Sequence, residues 1–240
     1  MNLKSIVSIA IFIFISCGEP YHQGFGSVSE TNQKDLTTER VVYRVLNMAK
    51  VKVRRDVKYK TSNDTPLAMD IYYPPNLKIG SRLPVVIFVN GFPDVGTQKK
   101  TRLKLKDMGQ YKSWGELTAA LGLIAITYET IQPDADIESL IDYVRKNGSS
   151  LNIDANSICI WACSGNVPTA LWIIKQKSRE YLRCAVLYYG VMTTADQKHQ
   201  AMINSRAQKS GFFPGGLKNI KHLYHDVPLF IVRAGPCQVI

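Results

Sequence analysis

Histidine is scarce in this sequence, four in 240 residues, and acid is outnumbered, 19 Asp and Glu against 30 Lys and Arg. Neither a CxxC pair nor a Cys/His run with metal-ligand spacing occurs. Nothing in the sequence suggests a metal or an organic cofactor. Internal repeats are lacking. Zinc-finger and helix-turn-helix spacings are absent, and the basic residues have no interleaved aromatics, which argues against nucleic acid as a partner. No apolar run reaches the roughly 20 residues of an ordinary membrane-spanning helix. With 45% apolar and 20% charged residues, the composition is that of one sizeable globular domain with its own core.

At the N-terminus, Lys4 precedes an apolar run from Ile6 to Ile15, the layout of an export signal. The stretch FISC resembles a bacterial lipobox, with small Ser16 before Cys17, although Phe14 stands where Leu is usual. The expectation is a signal over 1–16, a lipid on Cys17, a polar tether over 17–45 and an α/β domain over 46–240. Such a chain is exported and lipid-anchored to a bacterial membrane. A plain secreted or periplasmic protein and an uncleaved N-terminal anchor are the alternatives. Two basic clusters, KVKVRRDVKYK (50–60) and KKTRLKLK (99–106), read as solvated strand faces and a loop, with attraction to anionic headgroups as the sharper alternative. Cys159 and Cys184 sit inside apolar runs and read as core thiols.

Further along, alternating segments DVKYKT and PLAMDIYYPP read as strands. RLPVVIFVNG reads as a strand buried on both faces and LIAITYET as another buried strand, and SICIWA, CAVLYYGVM and VPLFIVRAG read as strands. YKSWGELTAALG, DADIESLIDYVRKNGSSL and VPTALWIIKQK read as helices, the second with Ile137, Leu140, Ile141 and Val144 at helical spacing. Strands alternating with helices predict a mostly parallel sheet covered on both faces. Sites in such sheets lie at the carboxyl ends of the strands. Ser164 lies at one such end and NGFPD (90–94) at another.

A sharp strand-to-helix turn lifts a side chain clear of the sheet and aims a helix N-terminus at it. Its tightness demands small residues two positions either side of the exposed one. With Ser164 raised these are Ala162 and Asn166. With Cys163 raised they are Trp161 and Gly165, and Trp161 is too large. The register favours Ser164 and leaves Cys163 as a minority nucleophile. A helix cap is the plainer role for Ser164.

From about Asp56 to Gly235 the order of elements resembles the α/β-hydrolase superfamily, in particular its serine esterases and dienelactone-hydrolase relatives. VVIFVNGFPD resembles that family's strand and oxyanion loop, with Asn90 in place of a His. DIESLIDYVRKNGSSLNIDANSICIWACSGN resembles its helix, turn and nucleophile elbow, and VPLFIVRAGPCQV the strand before its catalytic acid. The resemblance implies a serine hydrolase acting on small-molecule carboxylic esters or related acyl substrates. Ser164 would attack the acyl carbon, and the backbone N–H groups of Phe92 and Gly165 would hold the oxyanion. Gly91 and Asn90 would support that loop. Dienelactone hydrolases place Cys at the elbow, which keeps Cys163 open. The family order Ser, acid, His would put the acid just after IVRAG, where Pro236 and Cys237 stand, and the His later still. The expectation is therefore a C-terminally truncated chain lacking the last strand and helix. Asp196 with His225 is the in-chain substitute. A catalytically inactive lipoprotein of the same fold is the alternative function.

Overall fold

The computed structural model describes residues 38–39, 43–62, 64–175, 179–190 and 227–232. Residues 1–16, Cys17, all four histidines, Asp196 and Cys237 lie outside them, as do the expectations attached to them.

Seven strands form one sheet: β1 (Lys52–Ser62), β2 (Thr65–Tyr73), β3 (Leu83–Phe88), β4 (Ile124–Tyr128), β5 (Ile153–Cys163), β6 (Leu182–Tyr188) and β7 (Leu229–Val232). Their order is β1-β2-β4-β3-β5-β6-β7. β2 is antiparallel to both β1 and β4, and every other pairing is parallel. The mostly parallel sheet expected from the sequence is present. β7 ends the described sheet, and its Ile231 is 54% exposed.

Successive side chains of a strand point to opposite faces, so the central apolar runs feed two cores. Val85, Ile87 and Val89 belong to one cluster, and Val86 and Phe88 to the other. Among the described residues, α1 (Asp94–Thr101) follows the loop after β3, and α2 (Gly109–Ala120), α3 (Pro133–Asn147) and α4 (Val167–Lys175) pack on the faces. α3 brings Ile137, Leu140, Ile141 and Val144, all fully buried, onto the first face beside Val167, Ala170 and Ile173 of α4. Each such side chain contributes about 1.5–3 kcal/mol by leaving water. α2 covers the second face with Tyr111, Trp114 and Leu117. Trp114 there stacks on Phe88 at 5.8 Å and lies 4.3 Å from Trp161, centroid to centroid.

Three sequence expectations change. α1, over DVGTQKKT, is a helix the sequence reading did not contain; it has no apolar stripe to announce one. The 99–106 cluster is not a solvated loop throughout. Lys106 is 3% exposed, its Nζ 2.9 Å from Asp56 and 3.2 Å from Asp70, and Lys104 lies 2.7 Å from Glu129. A cation so deeply buried persists only when paired. Tyr43 and Val45, assigned to the tether, pack half-buried against the second core, so packing begins ahead of residue 46.

Gly115 lies in the middle of α2, where glycine normally weakens a helix by about 1 kcal/mol relative to alanine. A Cβ there would fall 2.7 Å from the ring of Tyr72, itself fully buried. The Gly115→Ala substitution should therefore destabilise the domain by about 1–3 kcal/mol in a denaturant melt, opposite in sign to the helix-propensity expectation. A stabilised variant would show that α2 is not packed this closely on β2.

Candidate active site

β5 ends at Cys163, α4 begins at Val167, and a single turn over Ser164–Asn166 joins them. To reverse direction so abruptly the chain places Ser164 at φ +50°. That left-handed region is costly for a residue bearing a Cβ and persists only where surrounding structure enforces it. The strand's alternation then sorts the two candidate nucleophiles. Trp161 and Cys163 point into the α2-side core, where Cys163 is 4% exposed. Ser164, freed from the alternation by its positive φ, is exposed at the carboxyl edge of the sheet.

The loop after β3 is pressed against this turn. A Cβ at Gly91 would lie 2.8 Å from the Asn166 Cα and 2.9 Å from the Gly165 carbonyl oxygen. A Cβ at Gly165 would overlap the ring of Phe92. Only glycine at both positions permits backbone-to-backbone contact. The structure thus brings Asn90, Gly91, Phe92, Ser164 and Gly165 together, while Cys163 lies beneath the surface. β6 also ends here: a Cβ at Gly190 would stand 2.8 Å from the Ser164 carbonyl oxygen. Asp196, outside the described residues, follows Gly190 by only six positions.

Hydrogen bonds pin the 90–94 loop at three points. The buried Asn90 donates its backbone N–H to the Tyr128 hydroxyl at 3.0 Å and its Nδ2 to the Tyr128 carbonyl at 2.7 Å. Gly91 donates its N–H to Asn166 Oδ1 at 2.7 Å, and Asn166 Nδ2 donates to the Tyr111 hydroxyl at 3.2 Å. Asp94 accepts the N–H of Leu105 at 2.8 Å and of Thr130 at 2.7 Å, and donates its own N–H to the Thr130 carbonyl at 2.8 Å. Asn166 therefore does more than fit a position that asks for a small residue. Its amide ties the β3 loop to the β5 turn and to α2. No sequence pattern marked Asn166, Tyr111, Tyr128 or Asp94 for these tasks, because their partners lie 11 to 75 positions away. Among the described residues no group of three or more His, Cys, Asp or Glu is placed to hold a metal ion.

Burial dominates the protonation of these supports. It raises the phenols of Tyr111 and Tyr128 well above their ordinary value. It also raises the Asp94 carboxyl from 3.8 to about 6, against the lowering effect of the two N–H donors.

No protein-family model matches the sequence, and no curated protein sequence matches it significantly. Solved structures do match. A thermophilic esterase from the planctomycete Thermogutta terrifontis, Est2 bound to propionate, aligns at a TM-score of 0.54 and 18% identity, over 77% of this chain and 71% of that one. The apo form of Thermogutta terrifontis esterase 2 aligns at 0.54 and 17% identity over the same shares. The same esterase phosphorylated by paraoxon aligns at 0.52 and 17% identity, over 77% of this chain and 70% of that one. With the strand order and the helices on both faces, these likenesses establish an α/β-hydrolase fold.

A carboxyl whose folded pKa lies above its unfolded value stabilises the fold below the unfolded pKa, and loses that contribution as pH rises through the folded one. For Asp94 the window runs from 3.8 to about 6. The stability of the native chain minus that of Asp94→Asn should fall by on the order of 2–3 kcal/mol from pH 3.8 to 6.5, measured by denaturant melts at each pH. A pH-independent difference would show that Asp94 titrates normally.

Proposed function

We propose that the protein is a serine hydrolase of carboxylic esters in which Ser164 is the nucleophile. The observation that carries this reading is an exposed serine at φ +50° at the carboxyl end of a central strand, in backbone contact with the glycine loop that follows the neighbouring strand. A helix cap requires no left-handed serine. Nor does it call for a second loop immobilised against the turn by buried hydrogen bonds. The esterase neighbours, one bound to propionate and one phosphorylated by paraoxon, support the same chemistry.

In this reading the Ser164 hydroxyl adds to the acyl carbon as a histidine base removes its proton. The charge developing on the carbonyl oxygen is met by the N–H groups of Phe92 and Gly165. Donors of this kind typically contribute about 3–4 kcal/mol each when they are held in place beforehand. Collapse of the tetrahedral intermediate expels the alcohol with the proton returned by the base, and water then releases the acid by the same steps. Asp196 with His225 is one in-chain pair in the order Ser, acid, His; Glu180, His199 and His222 also follow Ser164. Cys163, four per cent exposed, serves as packing.

The test is hydrolysis of p-nitrophenyl acetate and butyrate by the full chain. Ser164→Ala should lower kcat/KM at least about a thousandfold, and Cys163→Ala should keep it within about tenfold. Turnover that survives Ser164→Ala but is lost in Cys163→Ala would reverse the assignment. A native chain with no turnover on either ester would overturn the proposal.

A further inference from the structure

Opposite the candidate site, at the amino ends of β3 and β4, the surface has a different chemistry. A cleft of about 330 Å³ opens there, lined by Asn47, Pro74, Pro75, Leu77, Lys78 and Leu83 among others. Next in the chain to the lining residues Asn47 and Lys78 stand Leu46, 85% exposed, and Ile79, fully exposed at 105%, the two most exposed large hydrophobics among the described residues. Two branched aliphatics, each the chain neighbour of a residue lining one cleft, are grouped at this end rather than scattered over the surface. Lys50, Lys52, Lys78 and Arg82 surround it, all exposed. None of the four is within ion-pair distance of a described acid. Acids at this end include Glu116, within electrostatic reach of Tyr72, Asp154, whose carboxyl is lowered chiefly by its hydrogen bond from Ser157 and further by Arg183 and Arg82, and Glu180.

We infer that this end of the domain seats on an anionic lipid bilayer. Leu46 and Ile79 enter the interface, and the three lysines and Arg82 meet headgroup phosphates. Exposed aliphatic tips within a ring of cations match a surface whose phosphates lie directly above hydrocarbon. The chain before residue 38 contributes the apolar run Ile6–Ile15. Residues 17–37, if extended, span up to about 70 Å, enough to let the domain settle on a membrane that holds that run. The proposal goes beyond the hydrolase reading and does not depend on it. β3 is six residues long, so the serine turn lies on the order of 20 Å away, at the edge that stays in solution.

The test uses the full chain with vesicles of phosphatidylglycerol and phosphatidylcholine, or of phosphatidylcholine alone. The readout is local, so insertion of residues 1–16 does not produce it. Ile79→Trp places an indole in the patch, and Thr61→Trp places one at the opposite end of β1. The native chain supplies the background, with Trp114 and Trp161 buried and Trp172 half-buried. On anionic vesicles the Ile79→Trp emission should shift to the blue and be quenched at least about twofold by lipids with brominated acyl chains. The Thr61→Trp emission should not change. Lys50→Glu and Lys52→Glu should each raise the lipid concentration needed for half the quench roughly fivefold. Quenching that is absent at Ile79→Trp, equal at both positions or equal on neutral vesicles would overturn the inference. So would a blue shift that needs no lipid and grows with protein concentration, which would assign the patch to a second copy of the chain.

Discussion

Everything at the carboxyl edge of the sheet depends on one contact, the donation of the Gly91 N–H to the side chain of Asn166. The bond is 2.7 Å long, buried, and joins backbone to side chain across 75 residues. Its donor sits in the loop after β3, and its acceptor in the turn that holds Ser164 at a positive φ. A buried hydrogen bond contributes about 1 kcal/mol net, yet leaving either partner unmade costs about 1–3 kcal/mol. The two loops are therefore fixed together or both loosened. The Asn90 bonds to Tyr128 and the Asp94 bonds to Leu105 and Thr130 hold the other end of the same loop. In the proposed reading, loops fixed in this way would hold the Phe92 and Gly165 N–H groups in place before any substrate arrives, the condition under which such donors accelerate acyl transfer.

The same edge carries a dense polar network. Asp136, fully buried, accepts the N–H groups of Ile131 and Gln132, the Thr130 hydroxyl and the Lys60 ammonium. Lys106 joins Asp56 and Asp70, and Lys104 joins Glu129. The most deeply buried ions, Asp136, Asp70 and Lys106, each have two or more partners, which is what permits their burial at all. The contacts run from β1 and β2 to the 104–107 turn and the end of β4. They brace the antiparallel edge of the sheet against the segment that follows the Gly91 loop.

Much of the architecture was legible because it is written in periodicity. Val85 to Val89 and Leu123 to Ile126 are continuous apolar runs, and Ile137, Leu140, Ile141 and Val144 keep helical spacing, so their strands and helix follow directly. The preference for Ser164 over Cys163 rested on the bulk of Trp161, and that side chain is indeed buried under α2. α1 was not legible, since its eight residues carry no apolar stripe and the helix is set by its surroundings. The pairing of Lys106 with Asp70 was equally hidden, because 36 residues separate them and only the folded sheet brings them together. From the sequence Asn166 stood only as one of the two small residues flanking Ser164. Its role as the link between two loops becomes visible only once both are in place.

The central claim is that this scaffold activates Ser164 and no other residue. Brief treatment of the full chain with paraoxon, followed by peptide mass mapping, measures it directly. The account predicts one diethylphosphoryl adduct, on Ser164 within the peptide spanning Ser157–Lys175, formed at least about tenfold more slowly in Asn166→Ala, where the Gly91 loop is released. An adduct on Cys163, an adduct outside that peptide, or no adduct at all would contradict it.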